Sequence, residues 1–103
     1  MYDVLIIGSG PAGITAGIYA KRANLKVAMF EKNVPGGQLV NYNEIENYTG
    51  YSKMAGHELA MAMLNHAEDI GVEIIYDDVT KVDVDGDIRK VVAAGNTYET
   101  RAV

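Results

Sequence analysis

The chain has 103 residues, a length that suits one hydrophobic core and is too short for two sizeable domains. With 49% hydrophobic and 22% charged residues, the composition is typical of a folded globular protein and excludes a disordered one. A formal net charge of −5 argues against binding to nucleic acid or to an anionic membrane, and the absence of cysteine excludes disulfide bonds, thiolate metal sites and a redox-active thiol pair within these residues.

An apolar run near the start predicts the first strand. It covers about Asp3 to Ile7 and is too short to span a membrane. Because it also lacks a basic lead-in and a small-residue cleavage site, it does not resemble a signal peptide. We therefore expect a cytoplasmic protein that has no membrane partner.

A glycine-rich turn follows this strand directly and leads into a helix predicted over about Pro11 to Ala23. The residues of the turn are Gly8, Ser9, Gly10, Pro11, Ala12 and Gly13. In the dinucleotide-binding fingerprint the first glycine makes the tight turn, the second lets bare backbone approach a pyrophosphate, and the third lets the helix lie close to the sheet. The N-terminus of the helix then presents unpaired N–H groups to the phosphates. A merely flexible turn fits less well, because so many glycines would weaken the start of a helix.

The second predicted strand, about Lys26 to Glu31, ends in an acid. Glu31 lies 18 residues beyond Gly13, where a carboxylate can accept hydrogen bonds from a ribose diol. Strand, helix and strand form a βαβ unit, for which parallel pairing and a right-handed crossover are expected. The sequence therefore predicts a site for an adenine dinucleotide.

The next segment, Lys32 to Lys53, shows no sustained periodicity, and a loop of this length in a small domain is usually functional or disordered. Order returns with a second helix over about Met54 to Ile70. The face predicted to be apolar consists of Leu59, Met63, His66, Ala67 and Ile70. Gly71 ends this helix, and Val72 to Tyr76 is expected to form a third parallel strand.

The last third of the chain alternates apolar and charged residues around two turns, Asp85 to Asp87 and Gly95 to Asn96. This pattern predicts a three-stranded antiparallel meander. We therefore expect an α/β fold, in which a Rossmann-like parallel βαβ sheet has the antiparallel sheet laid over the crossover.

No conventional catalytic or metal site is predicted. His57 and His66 lie nearly opposite each other around one helix, and no third ligand joins them. The aspartates near Asp85 lack the closing glutamate of an EF-hand. No Ser-His-Asp constellation can be assembled, so we name no catalytic residue.

Four further motifs accompany the glycine-rich turn: Ala23-Asn24-Leu25, Pro35-Gly36-Gly37-Gln38-Leu39, Glu44-Ile45-Glu46-Asn47-Tyr48-Thr49-Gly50 and Gly56-His57-Glu58-Leu59. Together they resemble, along the whole chain, the amino-terminal flavin domain of the small, two-domain bacterial thioredoxin reductases. Related ferredoxin-NADP reductases share the Gly-Gly-Gln-Leu motif but lack the Ile-Glu-Asn-Tyr-x-Gly motif, which narrows the resemblance.

The resemblance implies an FAD site. Residues 9–12 would contact the pyrophosphate, and Glu31 with Lys32 would hold the adenosine ribose. The backbone of Val79 would meet the adenine. The complete set of implied cofactor-binding residues is Gly8, Ser9, Gly10, Pro11, Ala12, Gly13, Phe30, Glu31, Lys32, Gly36, Gly37, Gln38, Leu39, Asn47 and Val79.

The motif Pro35-Gly36-Gly37-Gln38-Leu39 implies the flavin end of this site. Gly37, Gln38 and Leu39 would approach the ribityl chain and the flavin ring, and Asn47 would bond nearby. A glycine pair permits close backbone approach, and an amide can donate and accept hydrogen bonds around a flavin edge. Without the flanking motifs, Gln38 and Asn47 are better explained as polar residues that solvate a loop.

The resemblance also implies that residues 1–103 lack two parts of the complete enzyme, the NADPH domain and the rest of the flavin domain. In relatives the chain continues into an NADPH domain that carries a Cys-x-x-Cys pair and then returns to complete the flavin domain. Residues 1–103 are therefore expected to form a partial, truncated FAD domain, inactive alone, of an NADPH-dependent enzyme that reduces a thioredoxin-like disulfide protein. We expect weak FAD retention. We also expect a homodimer or higher association, because Val103 ends an unfinished parallel sheet.

Two departures from the family leave the electron donor open. Relatives commonly carry threonines where this chain has Val40 to Asn43, and a proline where it has Thr49. Two other functions therefore stay open. One is a flavoprotein of similar build, either a ferredoxin-NADP reductase or the flavoprotein partner of a peroxiredoxin, and the other is a non-catalytic apo folding or self-associating unit.

Overall fold

The computed structural model describes residues 1–103 and contains two α-helices and six strands. The helices are α1 (Pro11–Arg22) and α2 (Gly56–Asp69). The strands are β1 (Tyr2–Ile7), β2 (Val27–Phe30), β3 (Glu73–Ile75), β4 (Val79–Asp85), β5 (Ile88–Ala93) and β6 (Asn96–Ala102). All six strands share one mixed sheet in the order β3-β2-β1-β6-β5-β4, which confirms the predicted α/β class. Neither helix has the length and apolar character that a membrane span requires.

The parallel half of the sheet follows the predicted βαβ plan. Strand β1 pairs in parallel with β2, and β2 pairs in parallel with β3. Every residue of β2 is buried, as expected of a parallel strand that is covered on both faces. On the helix side, Ile14 of α1 and Ala67 of α2 pack with Val27, Met29 and Val72.

Helix α1 lies close to the sheet because its inner positions are small. Gly17 is buried, and a Cβ added there would meet Val72 Cγ1 at 3.3 Å and Met29 Sδ at 3.4 Å. A larger side chain would therefore push the helix away from the sheet. Asn24, just beyond the helix, has a φ of 64°, which is the left-handed conformation expected of a residue at this end.

The predicted antiparallel strands are confirmed, but they do not form a separate sheet laid over the crossover, and that part of the expectation was wrong. Strand β6 pairs in parallel with β1 through Tyr2 and Thr100, so the meander continues the parallel sheet. The physical reason is that β1 has hydrogen-bonding groups on the side away from β2, and β6 satisfies them. The edges of the sheet are β3 and β4, and Val103 follows a central strand.

A second apolar cluster joins the meander to the parallel strands. Leu5, Ala28 and Phe30 pack there with Val91 and Ala93, and all five side chains are buried. No helix residue belongs to this cluster, whereas both helices contribute to the other one. The meander therefore extends the sheet through β6, and its Val91 and Ala93 also pack on the side of the parallel strands that the helices leave open.

The buried face of α2 is rotated from the predicted one. His66, predicted to face the core, is exposed, and Ala60 and Leu64 are buried instead. At 3.6 residues per turn the two faces differ by roughly 50°. The rotation brings Ala60 against the turn at Gly36, where a Cβ on the glycine would lie 2.5 Å from the Ala60 Cβ, and it leaves the polar imidazole in water.

The segment between β2 and α2 is more ordered than its lack of periodicity suggested. A short 3₁₀ helix covers Gly37–Asn41. Ile45 and Met54 form an isolated antiparallel bridge, with backbone N···O distances of 2.6 and 3.0 Å. The bridge closes the intervening residues into a loop, and Ile45 is half-buried between the exposed Glu44 and Glu46, as expected.

Candidate functional site

Two glycine turns meet at the carboxyl end of β1. The backbone N–H of Gly36 donates to the carbonyl of Ser9 over 2.8 Å. A Cβ added to Gly37 would lie 3.1 Å from the Cα of Gly10, so the two turns touch through bare backbone. Gly37 has little room for a side chain at this contact, whereas a Cβ on Gly10 would meet the Cα of Gly37 at an ordinary 3.8 Å. The pairing holds the first predicted site segment against the second.

Gly8 and Gly13 play the structural parts that the fingerprint assigns to them. Gly8 has a φ of +104°, a conformation that favours glycine at a tight turn. A Cβ on Gly13 would collide with the carbonyl oxygen of Gly8 and would lie 3.3 Å from Ile6 Cγ2. Helix α1 therefore reaches its position beside β1 only because residue 13 is glycine.

The space in front of Gly8 is open. A Cβ added to this residue would meet no heavy atom within 4 Å. Beside it, α1 begins after Gly10 without a side-chain cap, and Pro11 stands at the first position. The free N–H groups and the partial positive charge of a helix N-terminus favour an anion. This cradle of backbone fits a pyrophosphate.

Glu31 is tied to the first glycine turn. Its Oε1 accepts a hydrogen bond from the Ser9 hydroxyl over 2.7 Å and from the Ser9 N–H over 3.3 Å. Its Oε2 accepts the N–H of Asn33 over 2.8 Å. Burial raises the pKa of the Glu31 carboxyl, but the hydrogen bonds from Ser9 and Asn33, together with the nearby backbone N–H of Lys32, outweigh this effect and hold the pKa below its ordinary value. Glu31 is therefore an ionised acceptor near neutral pH.

Two cavities adjoin these groups. The first, of about 270 Å³, is lined by Ile7, Gly8, Phe30, Glu31, Lys32, Asp77, Asp78 and Val79. The second, of about 490 Å³, is lined by Gly8, Ser9, Gly10, Glu31, Lys32, Asn33, Val34, Gly37, Gln38 and Val40. Because Gly8, Glu31 and Lys32 line both, we treat the two cavities as one groove, called here the glycine-loop groove. It runs from Val79 past the glycine turns to Gln38.

The charge along this groove is uneven. Three carboxylates, those of Glu31, Asp77 and Asp78, line the Val79 end beside the single ammonium of Lys32. The Gln38 end has mainly backbone and neutral side chains. Carboxylates repel a phosphate, whereas they accept hydrogen bonds from sugar hydroxyls and amino groups. A dinucleotide would therefore put its nucleoside at the Val79 end and its phosphates over the glycine turns.

Most of the residues predicted for the site come together in this groove. Those that line it are Gly8, Ser9, Gly10, Phe30, Glu31, Lys32, Gly37, Gln38 and Val79. The remaining predicted residues lie outside its lining, and they are Pro11, Ala12, Gly13, Gly36, Leu39 and Asn47. Asn47 is exposed in the loop beyond Ile45, whereas Gly36 is buried against α2.

Sequence reasoning missed several lining residues. Asp77 and Asp78 were not predicted for the site, although they follow β3 at the carboxyl end of the parallel sheet. Ligands of open α/β sheets bind at that end, so their position was a usable signal. Asn33 and Val34 carry no such signal, because they lie in irregular backbone, and Val40 reaches the groove from the short 3₁₀ helix.

Comparisons with known proteins agree with the fold. A family model described as pyridine nucleotide-disulphide oxidoreductase matches residues 2–103. The thioredoxin reductase of Bacillus subtilis is 48% identical over 104 residues, covering all of this chain and 33% of the relative. The crystal structure of thioredoxin reductase from Streptococcus pyogenes matches with a TM-score of 0.95 and 50% identity, covering 98% of this chain and 33% of that one.

A third similar protein, also of known structure, is named for ferredoxin and flavin. The ferredoxin-flavin thioredoxin reductase from Clostridium acetobutylicum matches with a TM-score of 0.90 and 35% identity, covering 97% of this chain and 35% of that one. The chain thus spans about a third of the length of the curated relatives that it matches.

Proposed function

The chain belongs to the pyridine nucleotide-disulphide oxidoreductase family, and we propose that it supplies an FAD-binding portion of an NADPH-dependent thioredoxin-disulfide reductase. The observation that carries this proposal is the continuity of the glycine-loop groove. Gly8, Glu31 and Lys32 line both of its cavities, so one long ligand can cross the glycine turn. Residues 1–103 act as a single FAD-binding unit in this proposal.

The proposed orientation follows from the charges in the groove. The adenosine lies at the Val79 end, with a ribose hydroxyl donating to Glu31. The pyrophosphate crosses Gly8 and Gly10, where the backbone leaves open space and the start of α1 favours negative charge. The ribityl chain and flavin extend past Gly37 and Gln38.

The residues outside the lining keep their proposed roles through the family resemblance. Pro11, Ala12 and Gly13 form the first turn of α1, whose N–H groups face the phosphates in this proposal. Gly36 holds the second glycine turn by its bond to Ser9. Leu39 and Asn47 would complete the flavin end, for which the loop that carries Asn47 must approach the ring.

Bound FAD would accept a hydride from NADPH and relay the electrons to a disulfide. The residues of this chain hold the cofactor and orient it; none of them is a thiol, because the sequence has no cysteine. This chain matches about a third of the relatives' length. In the proposed enzyme the other two-thirds therefore supply the thiols that react with a thioredoxin-like protein, and they also supply the NADPH site. We expect these 103 residues alone to lack reductase activity.

Ferredoxin is a second candidate for the electron donor. The Clostridium acetobutylicum neighbour, whose name joins ferredoxin and flavin, has the same fold over 97% of this chain. Both candidates need the same FAD site. Stopped-flow reduction of the longer enzyme by NADPH and by reduced ferredoxin, compared at equal concentration, distinguishes them.

Titration of the chain with FAD tests the proposal directly. We expect saturable binding with one FAD per chain, seen as a change in flavin absorbance between roughly 350 and 500 nm and in flavin fluorescence. FMN should bind more weakly, because it lacks the adenosine half that occupies the Val79 end. We also expect gel filtration to strip most of the FAD. Failure to bind FAD, or equal affinity for FAD and FMN, would contradict the proposal.

A matched pair of glycine variants makes the titration specific. Gly8 and Gly95 both have positive φ, and a Cβ on either would meet no heavy atom within 4 Å. Gly8→Ala would place its methyl group in the groove, whereas Gly95→Ala alters a turn of the meander. We expect the first variant to lose at least tenfold in FAD affinity and the second to bind like the parent chain.

A further inference from the structure

Ser9 is a buried polar residue at a position that the glycine fingerprint leaves unspecified. It has no exposed surface. Its hydroxyl donates to Glu31 Oε1 over 2.7 Å. A buried hydroxyl needs a partner, and here the partner is the carboxylate at the centre of the groove.

The backbone of Ser9 reinforces this link. Its N–H approaches the same Glu31 oxygen at 3.3 Å, and its carbonyl accepts the N–H of Gly36 over 2.8 Å. Ser9 therefore connects three segments of the site, which are the first glycine turn, the end of β2 and the second glycine turn. Since the Asn33 N–H binds Glu31 Oε2 over 2.8 Å, both carboxylate oxygens are held.

The Glu31 carboxylate retains acceptor capacity after these bonds. A carboxylate has about four acceptor positions, and three hydrogen bonds to Glu31 are present. The residue lines both cavities, so a group in the groove can reach the carboxylate. Held from two sides, the carboxylate cannot rotate freely, which lowers the entropic cost of receiving a ligand hydroxyl.

We propose that Ser9 is a positioning residue, whose hydroxyl fixes the Glu31 carboxylate in the orientation that a ribose hydroxyl of the adenosine half of FAD meets. This inference rests on the proposed function. Ser9 acts through Glu31 and does not need to touch the sugar.

The first test needs no cofactor. The carboxyl carbon of Glu31 is followed by NMR during a pH titration of the chain and of its Ser9→Ala variant. We expect the pKa of Glu31 to rise in the variant, because its strongest hydrogen bond is lost. Ser52→Ala is the matched control, since Ser52 is exposed and lies outside the groove, and it should leave this pKa unchanged. An unchanged pKa in Ser9→Ala would overturn the inference.

The second test uses FAD and FMN as probes. We expect Ser9→Ala to weaken FAD about tenfold and to leave FMN affinity unchanged, because FMN has no adenosine ribose. In a Glu31→Gln background, Ser9→Ala should cost little more, since its effect passes through the carboxylate. Equal losses for FAD and FMN, or full additivity with Glu31→Gln, would mean that Ser9 serves only the shape of the turn.

Two further variants protect these tests against a folding defect. Ser9→Thr keeps the hydroxyl and should preserve the ratio of FAD to FMN affinity. Ser9→Cys is nearly the same size with a much weaker donor, so it should reproduce the effects of Ser9→Ala if that variant does not fold. A parent chain that binds no FAD would contradict the proposed function, whereas FAD binding that is insensitive to Ser9 would contradict only this inference.

Discussion

The rings of Phe30 and Tyr98 pack edge to face, with centroids 5.1 Å apart and planes at 75°. Phe30 ends β2 and Tyr98 lies in β6, so the contact reaches across β1, the strand between them. Phe30 also lines the groove beside Val79. The meander is therefore joined to the candidate cofactor site by an aromatic pair.

Replacement of Tyr98 tests the contribution of this pair. Tyr98→Leu should lower the free energy of unfolding by about 1 kcal/mol or more, because an edge-to-face pair contributes roughly 0.5–1.5 kcal/mol beyond the area it buries. Tyr98→Phe should change stability little, since the hydroxyl makes no hydrogen bond and the ring is kept. Urea unfolding followed by circular dichroism measures both variants. Equal losses in the two would mean that the hydroxyl, and not the ring, stabilises the contact.

Two glycines of α1 should respond very differently to the same substitution. Gly13→Ala forces its methyl group into the carbonyl oxygen of Gly8, and neither backbone segment can move without opening the glycine turn. We expect a loss of about 3 kcal/mol or more in the free energy of unfolding. Gly17→Ala meets only side-chain atoms at 3.3 to 3.6 Å and gains helix propensity, so its net effect should be within about 1 kcal/mol of zero.

The test is which of the two substitutions lowers the free energy of unfolding more. Both variants add one methyl group to the same helix, so differences in the unfolded chain largely cancel. If Gly17→Ala proves the more damaging of the two, then the packing of α1 on Met29 and Val72, and not the turn at Gly8, determines how close the helix lies.

The sequence predicted the parts of the fold that local pattern determines. The first βαβ unit was predicted nearly to the residue, because the turn at Gly8, the helix start at Pro11 and the left-handed Asn24 are each encoded by neighbouring residues. The pairing of β6 with β1 was not predicted. It joins residues about a hundred positions apart, Tyr2 and Thr100, and no periodicity within either strand specifies the partner.

For the site, too, the sequence predicted what local spacing determines and did not predict what long-range contacts determine. Gly8 and Glu31 were found from spacing, and the structure brings both into one groove. The hydrogen bond between Ser9 and Glu31 was beyond prediction, because it depends on the distance between two loop ends. The face of α2 was misjudged for a similar reason, since the packing of Ala60 on Gly36 outweighs the apolar pattern of the helix itself.

Strand β4 is the edge through which we expect the chain to associate. It is exposed along most of its length, and Val84 has 69% of its surface accessible. An exposed edge with apolar side chains invites pairing with another copy, although the charges of Lys81, Asp83 and Asp85 oppose it. Val84→Lys should therefore lower the association measured by analytical ultracentrifugation at high concentration. Met61→Lys, on the exposed face of α2, is the control and should not.

These measurements distinguish association through β4 from association through β3. Strand β6, which precedes Val103, is flanked by β1 and β5, so its edge is not free. Association that persists in Val84→Lys and disappears in a variant of the other edge strand, such as Ile74→Lys, would assign the contact to β3. A chain that remains monomeric at high concentration would contradict the expectation of a homodimer altogether.

Tyr2 should make the stability of the chain depend on alkaline pH. Its hydroxyl donates to Glu73 Oε1 over 2.7 Å, linking β1 to β3 across β2. Burial, and then the hydrogen bond and negative charge of Glu73, raise the pKa of Tyr2 from 10.0 to about 12. Because the folded pKa is the higher one, this contribution to stability is complete below pH 10 and is lost as the pH rises from there through about 12.

Removal of the hydroxyl tests this assignment. Tyr2→Phe should be less stable than the parent chain at neutral pH, because Glu73 loses its donor, and the difference should shrink steadily above pH 10. Chemical unfolding at a series of alkaline pH values measures it, and using the difference between the two chains cancels the titration of lysines and of the other tyrosines. Tyr76→Phe alters an exposed phenol and should show no such convergence. A difference between Tyr2→Phe and the parent that stays constant up to pH 12 would mean that the phenol is not held by Glu73 in solution.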